Sequence, residues 1–448
     1  MYRHVTARRA GVMRSTCRDP APIGPLGAAV GRTFRDVNEF SRRRLLTGAL
    51  GVAAAAGVAA CSSGARSGTS GVATAPPSPT PTPTLVGDGS TAPMGAQPHQ
   101  PAVHRLGPGQ RPPQFVVFSW DGAGETGRGL FARYRAAAAD TKASMTFFLS
   151  GIYLLPERKK LLYRPPHKPV GASAIGYLSD PHIRMTLQQL RAAWLEGHEI
   201  GTHFNGHFCD AAGVGTWSPA DWRNEIDQAV GFVEHWRTNT GFRDVAPLPF
   251  DYRKELIGGR TPCLLGQNRL LPTAAALRWR YDASSPGGEQ RWPGKRLGVW
   301  DFPLQSIPVP GRAGSVLSMD FNLMYKQLGG SINGPAAQRP RWQAQATGAY
   351  LAGFHRAYTT NRAPYFIGNH FENWNGGIYM RAVEEALRTI ATYPDVRLVS
   401  FRQLVGWLDA QDPTVLRRLR TLNVGQHPTD WREYTAPLAA ATAAAPSA

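Results

Sequence analysis

From Gln114 onward the chain alternates short apolar runs with segments whose apolar residues recur every three or four positions. The runs read as strands over 115–120 (ended by Asp121-Gly122), 145–149, 199–203, 245–250, 298–303 (halted by Pro303), 365–370 and 396–399. Helical periodicity fills 126–139, 186–195, 218–236, 273–279, 343–358, 379–392 and 401–408 between them. The segment at 218 has the clearest start, with Ser218 as cap, Pro219 in the first turn and Asp221 near the positive end of the helix dipole. Two stretches, 156–181 and 304–342, fit neither period and read as irregular insertions. Strand-then-helix units repeated over roughly 300 residues predict an α/β fold. The simplest closure is a distorted (β/α) barrel of about seven parallel strands with helices outside.

The front of the chain reads differently. Ser41-Arg42-Arg43-Arg44-Leu45-Leu46 precedes an apolar run of small residues to Ala60, then Cys61. A basic patch, a short apolar segment and small residues read as an export signal rather than a membrane span. The paired arginines resemble a bacterial twin-arginine signal. Val58-Ala59-Ala60-Cys61 resembles a lipobox, which implies cleavage before Cys61 and a lipid on it. Residues 1–61 therefore form an N-terminal extension plus signal, and 62–113, rich in Pro, Ser, Thr and Gly, a disordered tether. The folded domain is expected over 114–410, and 411–448 as a largely disordered tail. Such a protein would be exported, anchored at the outer face of the cytoplasmic membrane or in the cell envelope, and monomeric.

Charge changes this picture little. The formal net charge is +19, of which residues 1–60, with ten arginines and three acidic residues, carry +7. No basic–aromatic repeat or recognised motif points to nucleic acid, whereas an exported basic protein meets an anionic envelope.

Polar residues collect at the expected strand ends: Asp121, His203 with His207, Asp301 and His370, with Arg260 in the turn between. Parallel barrels bring such ends to one face. One carboxylate and two imidazoles can hold a divalent metal with an open position for water, which makes Asp121, His203 and His207 the candidate ligands. His370 can then serve as general acid, Asp301 can orient it, and Arg260 can hold an anionic group. Cys209 and Cys263 flank His207 and Arg260 on loops at that face. Outside the cytoplasm they can form a disulfide, and a soft zinc ligand is the competing role for Cys209.

These pieces resemble the polysaccharide deacetylase family, carbohydrate esterase family 4, whose domain is a distorted (β/α) barrel. Its members carry Thr-Phe-Asp-Asp-Gly, His-x3-His, Arg-x-Pro, an Asp-Trp region and Leu-x-His. This chain offers Phe118-Ser119-Trp120-Asp121-Gly122, His203-Phe204-Asn205-Gly206-His207, Arg260-Thr261-Pro262, Trp300-Asp301 and Gly368-Asn369-His370, in that order. The resemblance implies one divalent metal, zinc or cobalt, on Asp121, His203 and His207. His370 is the implied acid, with Asp301 and Arg260 in support. The implied reaction is attack of metal-bound water on an acetyl group of a cell-wall or chitin-like polysaccharide. The family's catalytic-base aspartate falls on Trp120 here, which leaves the base unassigned among Glu125, Asp210, Glu372 or none. A non-catalytic glycan-binding envelope lipoprotein is the alternative function.

Overall fold

A computed structural model describes residues 84–436. The expected signal, the lipidation candidate Cys61, the tether up to residue 83 and the tail from 437 lie outside the described residues.

The expected runs appear as β1 (Gln114–Asp121), β2 (Thr146–Leu149), β3 (Glu199–Thr202) and β7 (Val299–Asp301), and before β7 lie three short strands that no apolar run announced, β4 (Gly258–Gly259), β5 (Tyr281–Asp282) and β6 (Gly294–Arg296). The hairpin β8 (Ser306–Pro308) and β9 (Ser315–Leu317) follows, then β10 (Tyr365–His370) and β11 (Val396–Leu398). The main sheet runs β10-β1-β2-β3-β4-β5-β7-β6. Every pair in it is parallel except β6 with β7. β11 pairs with the first three residues of β1, beside which β2 takes the last three. The sheet curls as a half-barrel, and Met319, just past β9, bridges in parallel to Gly368 on its edge strand β10.

Both faces of the central strands are dry, as parallel sheets require. Val116, Phe118 and Trp120 face the larger core, shared with the helices Leu130–Thr141, Asp180–Leu195 and Trp374–Ile390. Phe115 and Val117 face the smaller one, with Phe148, Tyr281, Phe302, Phe366 and Phe401. Ser218 caps the helix Pro219–Glu234 in a reciprocal capping box with Asp221.

Three expectations need correction. The tether does not extend to 113: Thr91 bridges to Leu248, the Trp236 indole donates to the Ser90 carbonyl at 2.8 Å, and the Gln97 amide donates to the His198 carbonyl at 2.6 Å. Hydrogen bonds to the backbone fasten this segment, so its poverty in large apolar residues did not betray it. The strand expected at 245–250 is only the Leu248 bridge, because Pro247 and Pro249 remove alternate donors. The tail continues as the helices Pro413–Leu419 and Arg432–Thr435, the first of which buries Val415, Leu416 and Leu419 in the smaller core.

Candidate active site

Parallel pairing sets Asp121 beside His370, since these two are register partners at the ends of β1 and β10. β3 delivers His203 one residue past its end, and β4 delivers Arg260 likewise. Asp121, His203, His207 and His370 line one cavity.

The Arg260 guanidinium is fully buried at the centre of this end of the sheet. Its Nη1 donates to Asp121 Oδ1 and to Ser119 Oγ, each at 2.9 Å, and its Nε to the Ala283 carbonyl at 3.0 Å. Its carbon sits 4.9 Å from the Phe148 ring centroid. Burial alone would push the Asp121 carboxyl up, but Arg260, His203 and His370 outweigh it and hold the group below its ordinary value. Asp121 is therefore an anion with a cation locked against it.

His203 Nδ1–H donates to the Arg260 carbonyl at 2.8 Å, which leaves Nε2 with its lone pair. Burial pushes this imidazole down to about 4 and that of His207 to about 3, the latter helped by its two histidine neighbours. Both rings are neutral at pH 7, as ligand imidazoles must be. Their centroids are 5.1 Å apart. The loop joining them bends through left-handed conformations at Phe204 (φ 60°) and His207 (φ 56°), which cost strain in residues with side chains. Buried Glu225 compensates from below: its Oε1 accepts from Asn205 N at 3.1 Å and from the Tyr163 hydroxyl at 2.9 Å. Tyr163 in turn accepts from Gly206 N at 3.0 Å. From the side, a disulfide joins Cys209 to Cys263 and ties this loop to the turn after Arg260.

The donor chemistry fits a divalent cation: two neutral imidazoles and an ionised carboxylate share a cavity wall. The spacing is wider than a closed three-ligand site. Among the described residues, the set whose ligand atoms all lie within 4.8 Å of one another is His207, Cys209 and Cys263. Its sulfurs are joined to each other rather than free as thiolates.

The acid's partner differs from the expectation. His370 Nδ1 donates to Asp320 Oδ1 at 2.8 Å, and the His370 backbone N–H donates to Oδ2 at 2.8 Å. Asp301 does not take this part: it lies on β7 opposite Asp282, and its carboxyl interacts with Ser285 and Arg296. The Asp-Trp spacing pointed to Asp301, whereas the helix Asp320–Leu328 swings Asp320 under β10. That helix lies inside the stretch taken as irregular. Its signal was present in Phe321, Met324, Tyr325 and Leu328 at helical spacing, just after an acidic residue. Burial pulls the His370 imidazole down, but the Asp320 carboxylate prevails and holds it above its ordinary value.

Trp120 does not face the cavity at all. Its indole is fully buried on the other side of β1, stacked on Phe371 at 5.1 Å, with Nε1 3.4 Å from Met145 Sδ. Of the candidate bases, Glu125 accepts from the backbone of Gly127 and Gly129, and Asp210 pairs with Lys168 at 2.7 Å. Glu372 pairs with Arg128 at 2.7 Å and lines a small annex of the cavity with Ser150 and Tyr153.

No protein-family model matches this chain, and no curated protein does. Solved structures do. A candidate polysaccharide deacetylase from Mycobacterium smegmatis aligns at 14% identity and TM-score 0.39, covering 69% of this chain and 96% of its own. Another candidate polysaccharide deacetylase, from Pseudomonas aeruginosa, aligns at 12% and 0.39, covering 66% and 91%. A carbohydrate esterase family 4 pseudoenzyme from Bacillus anthracis aligns at 9% and 0.34, covering 70% and 69%. At identities this low the chemistry rests on the residues themselves.

Proposed function

We propose that this protein is a metal-dependent hydrolase that removes acyl groups, acetyl among them, from a cell-wall or chitin-like polysaccharide outside the cytoplasm. The observation that carries the reading is the His370–Asp320 couple, set beside an ionised Asp121 and two neutral imidazoles on one cavity wall. A protonated imidazole is thereby available next to a cation-binding donor set, the combination that amide or ester hydrolysis requires.

Asp121, His203 and His207 would hold the metal, zinc or cobalt, which supplies Lewis acidity to the acyl carbonyl and to water. His370 gives a proton to the departing nitrogen or oxygen, and Asp320 fixes its tautomer and favours its charged form. Arg260 keeps Asp121 ionised and fixed in place. Glu372 is the carboxylate on the wall that is not given to the metal. In this reading the chain acts as an envelope lipoprotein held through Cys61.

The test is acetate release from acetylated peptidoglycan and chitin oligomers by the full chain, with zinc or cobalt and after chelation. Metal-dependent release, lost in His370→Ala, is expected. The locked Asp121–Arg260 pair favours a second reading, a glycan-binding protein without turnover. Tight binding of both polymers with no acetate released would select that one.

A further inference from the structure

The cavity at the site has two unlike sides. Toward Ser150 and Glu372 it is a small annex of about 60 Å³ whose lining mixes polar groups with Tyr153, Ile175 and Phe371. On the other side it widens to about 420 Å³, walled by Leu264, Leu265, Leu317, Met319 and Phe321. Cavities of roughly 300–1,000 Å³ take whole small organic ligands, so this one far exceeds the needs of an acetyl methyl.

The lining also argues against a sugar ring. Glycan hydroxyls placed against leucine and methionine would lose water without gaining partners, a cost that favours an occupant without polar groups. An unbranched hydrocarbon chain has no such groups, and it gains from each methylene buried. The fold builds this wall deliberately from two segments. Cys263 and Leu264 adopt left-handed backbone (φ 56° and 55°) where the disulfide holds the turn, which presents Leu264 and Leu265 to the cavity. The β8–β9 hairpin and the start of the following helix supply Leu317, Met319 and Phe321. Asp320, which carries His370, lies between two of those apolar residues, so one segment shapes both the acid and the pocket.

We infer that the wide side of the cavity receives the hydrocarbon chain of an acyl group longer than acetyl, with its carbonyl at Asp121, His203, His207 and His370. The inference rests on the hydrolase reading and names the acyl class it acts on. In the reaction, water oxygen bonds to the acyl carbon and the carbon–nitrogen bond breaks. Both protons of the water end on the departing nitrogen, one of them by way of His370, so the products are an ammonium and a carboxylate; no oxidant or reductant takes part.

The experiment uses the full chain loaded with zinc and glucosamines N-acylated with acetyl, butyryl, hexanoyl or octanoyl groups. Binding is followed by calorimetry and turnover by release of free amine. Affinity and kcat/KM are expected to climb about fourfold per methylene until the pocket is full. Leu317→Trp and, as a second variant at another wall, Leu265→Trp should each move the optimum to shorter chains. Affinity that stays flat or falls beyond acetyl overturns the inference, as does a rise that survives unchanged in both tryptophan variants. Turnover confined to the acetyl compound overturns it while leaving the hydrolase reading in place. Affinity that climbs with chain length, without turnover of any member, sustains the acyl-chain pocket and overturns the hydrolase reading.

Discussion

The two faces of the end of β1 serve different purposes. One face carries Val116, Phe118 and Trp120 into a dry aromatic layer with Tyr134, Phe131 and Phe371. The other carries Ser119 and Asp121 to the buried Arg260. Because side chains alternate along a strand, adjacent residues serve opposite purposes. Position in a motif therefore says little without the face. By the resemblance Trp120 falls where the polysaccharide deacetylase family has its base aspartate, yet it packs as core, while Asp121, one step on, has the arginine partner.

The largest effect is expected from trying to convert one face into the other. Trp120→Asp should not supply a base; it should bury a lone carboxylate in the aromatic layer and exceed the loss of about 3–5 kcal/mol expected for truncating a buried tryptophan. Denaturant unfolding would read this directly, and a stable, more active variant would break the comparison. On the opposite face, Arg260→Met should cost about 3–5 kcal/mol, because Asp121 would be left as an uncompensated buried charge. Arg260→Met with Asp121→Asn together should recover much of that loss, so a double-mutant cycle in thermal melts measures the coupling.

The polar face reaches β10 through the Asp121–His370 register, and Asp320→Asn tests that extension. A drop in kcat of about 100-fold is expected, with the alkaline limb of the pH–rate profile moved toward acid. The sign follows from His370 lying above its ordinary 6.5 in the fold. Its contribution to stability is present below 6.5 and is lost as pH rises through the raised value. Unchanged limbs would assign Asp320 to structure alone.

The smallest effect belongs to Glu225 beneath the histidine loop. Burial pushes its carboxyl up to about 7 from an ordinary 4.5, against the hydrogen bonds of Tyr163 and Asn205. Its stability contribution is thus full below 4.5 and lost as pH rises through about 7. Glu225→Gln keeps an acceptor for both donors. It should match the parent in acid and gain on the order of 1 kcal/mol in thermal stability above neutrality.

Much of the sheet was legible in the residues. The run Tyr365–His370 is a strand with those bounds, and Ser218 caps the helix its pattern announced. The approach of His203, His207 and His370 to one cavity followed from strand ends alone. Three features were hidden for physical reasons. Asp320 sits in a helix of only nine residues between irregular segments, too short for its period to stand out. The exchange of Asp301 for Asp320 depends on a chain crossing that spacing along the sequence does not encode. The Asp121–Arg260 pair joins residues 139 apart in sequence, and only the curl of the sheet brings them together.

The segment before β1 gives the molecule a mechanical property. Any load applied to the chain ahead of residue 84 meets Asp88 bound to Thr238, Ser90 bound to Trp236 and Thr91 bridged to Leu248 before it reaches Gln114. Those bonds act in series as a strain relief, so tension is delivered to the helix Trp236–Thr240 and to Leu248 rather than to the strand that holds Asp121. A version trimmed to begin at Gln114 would lose that buffer and transmit every pull directly to its central strand.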